Sequence, residues 1–189
     1  MSSRNTSRSS IGTRSTQVRK QTLILLKGHP GTGKSTLAAA LARQLSWPMI
    51  DKDDIKDHIY HQPQGNVLAY EIMWQLTRRQ LEIGLSVVVD SPLSYPISYV
   101  TGQELAAAYG ARPLVVETTL PEDTWRARLE LRQQQPQTHR VASWAAMQQA
   151  LHDYAECWRY SIAPEEHCVV DSSQPVDQLV QSIVTYLDA

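Results

Sequence analysis

The sequence predicts an α/β domain in which a parallel sheet is covered by helices on both faces. Three observations lead there. Short apolar runs alternate along the chain with segments whose apolar residues recur every three or four positions. The runs lack the in–out alternation of a sheet with one wet face, so they read as strands buried on both sides. The 189 residues, 42% hydrophobic and 20% charged, suffice for one domain with a sizeable core and leave no length for two.

Thr22 to Lys27 reads as the first buried strand, and Lys34 to Ser46 as a helix with Leu37, Leu41 and Leu45 on one stripe. Trp47 to Ile50 is a short second strand. Val67 to Ile83 is helical and is closed by Gly84, and Leu85 to Val89 is a third strand. Ile97 to Tyr109 is a helix stopped by Gly110, followed by the strand Pro113 to Thr118. Pro121 starts a helix running to about Gln134. Ser143 caps another, with Trp144, Met147, Leu151, Tyr154 and Trp158 spaced as a core-facing stripe. Cys168 to Val170 is a last strand, and Pro175 opens a final helix carrying Val176, Leu179, Val180, Ile183 and Leu187. There is no internal repeat.

Composition excludes several classes. Runs such as Leu23 to Leu26 are far shorter than the ~20 residues that span a bilayer, so no membrane is expected. Two cysteines, Cys157 and Cys168, make neither a disulfide framework nor a zinc site, and a reducing, cytoplasmic setting is expected. The net charge of −1 is a sum of unlike parts. Residues 1–20 hold Arg4, Arg8, Arg14, Arg19 and Lys20, many serines and no acid, and read as a disordered basic tail, with organelle targeting as the alternative. Residues 21–189 carry −6, which argues against a strand-binding groove and makes nucleic acid an unexpected partner.

Gly28-His29-Pro30-Gly31-Thr32-Gly33-Lys34-Ser35 matches G-x-x-x-x-G-K-[ST] at every fixed position, and Thr36 follows. It lies between an apolar strand and an amphipathic helix, as the motif requires. The glycines let backbone N–H groups reach phosphate oxygens, and the helix start adds its positive dipole end. Lys34 supplies a mobile charge for the β- and γ-phosphates, and Ser35 is a ligand for Mg²⁺. Gly28 to Thr36 is therefore the expected nucleotide site.

After the second strand comes Asp51-Lys52-Asp53-Asp54-Ile55-Lys56-Asp57. In a parallel sheet that strand end opens on the same crevice as the phosphate loop. Asp53 is there in position to take a proton from an attacking hydroxyl. For Asp51 and Asp54 the bland reading, acids at a helix start, stands level with a functional one.

These residues, with Val87-Val88-Val89-Asp90-Ser91 and Arg128-Leu129-Glu130-Leu131-Arg132, resemble the motif series of small P-loop kinases of the polynucleotide kinase, gluconate kinase and chloramphenicol phosphotransferase type. The likeness is greatest to plant and bacterial ATP-binding proteins that read GHPGTGKST, IDKDD and VVVDSPLS. It covers nearly all of residues 22–187. It implies a nucleoside-monophosphate-kinase-like three-layer α/β/α fold, five parallel strands in the order 2-3-1-4-5, a helical lid over about residues 125–145, and ATP with Mg²⁺. It makes Asp53 the base, sets Lys56 where polynucleotide kinases have a substrate-binding Arg, and gives Asp90 the acidic place near metal and acceptor. Substrate-side residues are then Asp53, Lys56, Asp90 and Ser91, and metal-side residues Ser35 and Asp90.

Arg128 and Arg132 stand four apart on one helix face, a like-charge pair that an anion between them would relieve. They read as lid arginines that neutralise a migrating phosphoryl group, with Gln133 to Gln137 as the flexible turn and His139 and Arg140 toward the acceptor. His58 and His61 read as surface residues rather than metal ligands. The resemblance places adenine near Asp171 to Gln174. The expected function is transfer of phosphate from Mg-ATP to a hydroxyl of a small molecule. The alternatives are a polynucleotide 5′-hydroxyl kinase and a nucleotide-binding switch that hydrolyses ATP slowly.

Overall fold

Thr22–Lys27 forms β1, buried throughout as an uninterrupted apolar run requires. The computed structural model describes residues 19–132, 141 and 143–188. After the phosphate loop, Lys34–Leu45 forms α1, and Ser46, expected as its last residue, instead adopts a left-handed conformation and caps it. Met49–Asp51 forms β2, later than the sequence suggests. Pro48 precedes it with no N–H to donate, although its carbonyl still accepts from Val88.

Lys52–Ile59 forms α2, a helix the periodicity did not reveal because Ile55 and Ile59 are its only large aliphatics. It exists because Asp51 caps it, its carboxylate accepting from the Asp53 N–H at 2.7 Å. Gly65–Glu82 forms α3, Val87–Asp90 β3, Pro96–Ala108 α4 and Arg112–Thr119 β4. Leu85, expected at the head of the third strand, is 43% exposed and lies before it. Glu122–Arg132 forms α5, Trp144–Tyr154 α6, His167–Asp171 β5 and Val176–Asp188 α7.

The strands lie in the order β2-β3-β1-β4-β5, all parallel. Strand alternation splits the core in two. Leu23 and Leu25 of β1 pack with Met73 and Leu81 of α3 and Leu105 of α4, while Ile24 and Leu26 pack with Leu37 and Leu41 of α1 and Ile183 of α7. A third, smaller cluster of Trp125, Leu129 and Met147 joins α5 to α6. Arg19, ahead of β1, is tied to the end of α7 by a two-pronged ion pair to Asp188, at 2.6 and 2.7 Å. Among the described residues, no helix is long and apolar enough to cross a membrane. The tail before Arg19, the turn Gln133 to Gln137, His139 and Arg140 lie outside the described residues.

Candidate active site

All parallel strands point their carboxyl ends one way, and there the loops after β1, β2, β3 and β5 surround a cavity of about 730 Å³. The phosphate loop forms one wall. Gly28 lies so close to β4 that a Cβ would stand 2.2 Å from Thr118 Oγ1, and that hydroxyl is committed to Thr32 Oγ1 at 2.7 Å. Gly31 holds φ +84° with Leu129 beneath it, which excludes a side chain on both counts. Pro30, Gly31, Gly33, Lys34, Ser35 and Thr36 line the cavity. Gly28, His29 and Thr32, also expected at the nucleotide, do not, and brace the loop instead.

Lys34 is buried, and its ammonium donates to the His29 carbonyl oxygen at 3.0 Å. Burial lowers its pKa, opposed by the carboxylates of Asp90 and Asp53, so both acids stand within electrostatic reach of the loop lysine. Asp90 ends β3 with 2% exposure, and neither carboxylate oxygen has a hydrogen-bond partner. Burial raises its pKa, while Lys34 and the nearby Ser35 hydroxyl favour the charged form, the latter without reaching hydrogen-bond geometry. A buried carboxylate with two idle oxygens beside a hydroxyl is a donor set suited to a hard divalent cation.

Asp53 sits in the first turn of α2, lines the cavity, and pairs with the buried Lys52 ammonium at 2.8 Å. Lys52, which carried no sequence signal, is thus part of the wall, and Tyr70 of α3 lies below it. Asp51 is opposite Asp90 in the β2–β3 register. Burial, followed by the charge of Asp90, pushes its carboxyl up to about 6. Asp51 both caps α2 and lines the cavity, so the cap adds a structural role without removing the functional one. Asp54 is exposed and does not line the cavity. Lys56 and Ser91 do, with burial lowering the pKa of Lys56 and Ser91 Oγ buried and unpartnered.

Arg128 and Arg132 reach the opposite wall from α5. Arg128 also donates to the Ser172 carbonyl oxygen at 2.9 Å, bridging α5 to the loop after β5. Ser172, Gln174, Val176 and Leu179 line that end, where the resemblance set adenine. The aromatic stripe expected to be core divides. Met147 is fully buried, Tyr154 lines the cavity, and Trp158 stacks on His29. Trp125 of α5 donates its indole N–H to the Pro30 carbonyl oxygen at 2.7 Å. His58 and His61 are exposed.

A family model described as an AAA domain matches residues 23–154. A Chloroflexus aurantiacus protein assigned provisionally as a kinase is 20% identical and superposes with a TM-score of 0.69, over 90% of this chain and 98% of that one. The APS kinase of Mycobacterium tuberculosis, solved with AMPPNP and APS, gives 0.65 at 13% identity, over 90% and 99%. A gluconokinase from Sinorhizobium meliloti gives 0.60 at 19%, over 90% and 93%. At these identities the likeness is one of fold, the three-layer fold of small P-loop kinases. None of the curated proteins matches the chain.

Proposed function

The chain belongs to the AAA domain family, and from that premise we propose that it is a kinase that moves the γ-phosphoryl group of Mg²⁺-ATP to a hydroxyl of a small molecule. One observation carries the proposal: Lys34, Asp53 and Asp90 face a single cavity, with Arg128 and Arg132 across from them.

The backbone of Pro30 to Thr36 binds the triphosphate and Lys34 steadies its charge, while the base lies toward Ser172 to Leu179. Ser35 and Asp90 would hold Mg²⁺, which when bound neutralises charge on the phosphates. Asp53, oriented by Lys52, accepts the proton of the acceptor hydroxyl as that oxygen bonds to the γ-phosphorus and the bond to ADP breaks. Arg128 and Arg132 stabilise the equatorial oxygens. Lys56 and Ser91 contact the acceptor, a hydroxylated metabolite or antibiotic-like compound. The −6 charge of residues 21–189 supports this class over a polynucleotide.

The test is a ³¹P NMR and mass-shift screen of ATP against nucleosides, sugars, amino-alcohols, aminoglycosides and DNA 5′ ends. A phosphorylated small molecule is the expected product. ADP release with no phosphorylated hydroxyl in any sample would overturn the proposal in favour of an ATPase switch.

A further inference from the structure

Behind the phosphate loop lies an aromatic stack that the transfer chemistry does not use. The His29 ring sits between two tryptophans, 5.1 Å from Trp125 at an interplanar angle of 16° and 3.7 Å from Trp158 at 24°. Trp125 belongs to the first turn of α5, and Trp158 ends the 3₁₀ turn Ala155–Trp158 that follows α6. These two helices are joined by their own cluster of Trp125, Leu129 and Met147, with Trp144 edge-on to Trp125 at 5.2 Å. The helix pair therefore enters and leaves the body of the protein at the same imidazole.

Each flank of the stack is anchored separately. Trp125 also donates to Pro30 in the loop itself, and Trp158 lies 4.2 Å from the ammonium of buried Lys27, which is paired with Glu117 at 2.7 Å. His29 Nδ1 is buried without a hydrogen-bond partner, so ring stacking and not that nitrogen holds the imidazole to the tryptophans. Burial, with Lys27 and Lys34 nearby, lowers its pKa to about 4 and keeps it uncharged beside those cations at neutral pH. Arg128 and Arg132 lie one and two turns along α5 from Trp125. A helix pinned at Trp125 fixes how far those guanidinium groups extend over the cavity.

We propose that His29 is a positioning residue: clasped by Trp125 and Trp158, its ring registers the arginine-bearing helix α5 against the phosphate loop, so that nucleotide seated on the loop is sensed by the helix pair. The part played by Arg128 and Arg132 in transfer rests on the function proposed above, whereas the coupling of loop to helix does not.

Hydrogen–deuterium exchange of the full chain with and without Mg²⁺-AMPPNP reads the coupling directly. In the wild type the nucleotide analogue slows exchange about tenfold both in the phosphate loop and in α5. His29→Ala keeps the slowing in the loop and loses it in α5, and His29→Phe, which restores a flat ring, restores it. Trp158→Ala opens the other side of the stack without altering the loop sequence and gives the same loss. Wherever transfer is measurable, His29→Ala lowers kcat about tenfold with KM for ATP changed less than threefold. Slowing in α5 that is missing from the wild type, survives both alanine variants, disappears together with loop protection, or is not rescued by Phe overturns the proposal. If no acceptor is phosphorylated by the wild type, the proposed function fails while the exchange pattern still decides the stack.

Discussion

Lowering the pH from 7 to 5 probes the environment of His29 against an ordinary titration. Burial first, then Lys27 and Lys34, bring its pKa from 6.5 to about 4, with a smaller opposing pull from Glu117. Between those values the unfolded chain takes up a proton that the folded chain refuses. Stability from this group is fully present above pH 6.5 and is lost as the pH falls toward 4. A displacement of that size corresponds to roughly 3 kcal/mol over the whole window. The ring is only partly covered and solvent screens it, so about 1–2 kcal/mol is expected by pH 5. Asp51 acts in the opposite sense. Its carboxyl, raised to about 6, makes folding more favourable as the pH falls from 6 toward its unfolded value of 3.8. The wild type alone would therefore mix two opposed effects. The clean comparison is with His29→Phe, which keeps a flat ring between the tryptophans and cannot titrate. Urea unfolding followed by tryptophan fluorescence at both pH values gives the difference, provided the m-values agree. His29→Phe should gain about 1–2 kcal/mol over the wild type on going from pH 7 to 5. A change below about 0.5 kcal/mol would refute a partly buried His29 held neutral by its surroundings.

Three further outcomes follow from the site. Asp53→Asn should keep ATP binding within about threefold by calorimetry while lowering transfer roughly 10²–10⁴-fold in a coupled ADP assay, and full transfer by this variant would sink the general-base assignment. Lys34→Ala removes a charge-assisted contact to the phosphates and should weaken nucleotide binding itself by roughly 10–100-fold, again by calorimetry. Gly28→Ala would place a methyl group 2.2 Å from Thr118 Oγ1, which its bond to Thr32 holds in place. That variant should lose roughly 1–3 kcal/mol of stability in thermal unfolding, and an unchanged midpoint would mean that the loop and β4 are not so closely apposed.

Much of the fold can be read from contiguous residues because its signals are local. The unbroken apolar run of β1 predicted both ends of that strand, and Gly110 stops α4 with φ +65° as a helix-closing glycine should. The strand order came with the resemblance, since periodicity says nothing about which strand lies beside which, and the structure bears it out. Helix α2 shows in the sequence only as acids at a helix start, because its helical character lies in the Asp51 cap and not in an apolar stripe. Lys52 escaped notice: a lysine between two aspartates reads as solvated surface, yet it is 5% exposed and holds Asp53.

The phosphate loop is a different kind of signal. Gly28, Gly31, Gly33, Lys34 and Ser35 declare themselves because the conformation they adopt is set by their own backbone freedom and by the helix that follows at once. The sequence alone thereby determined the α/β class, the nucleotide loop, and the acids at the ends of β2 and β3. Only the tertiary structure decided that Asp51 caps while Asp53 pairs with Lys52, that Arg128 bridges to Ser172, and that His29 rests between Trp125 and Trp158. The Arg128–Ser172 bridge and the His29 stack join residues far apart in the chain, and even among the neighbours Asp51, Lys52 and Asp53 burial and close packing choose between partners that spacing leaves open.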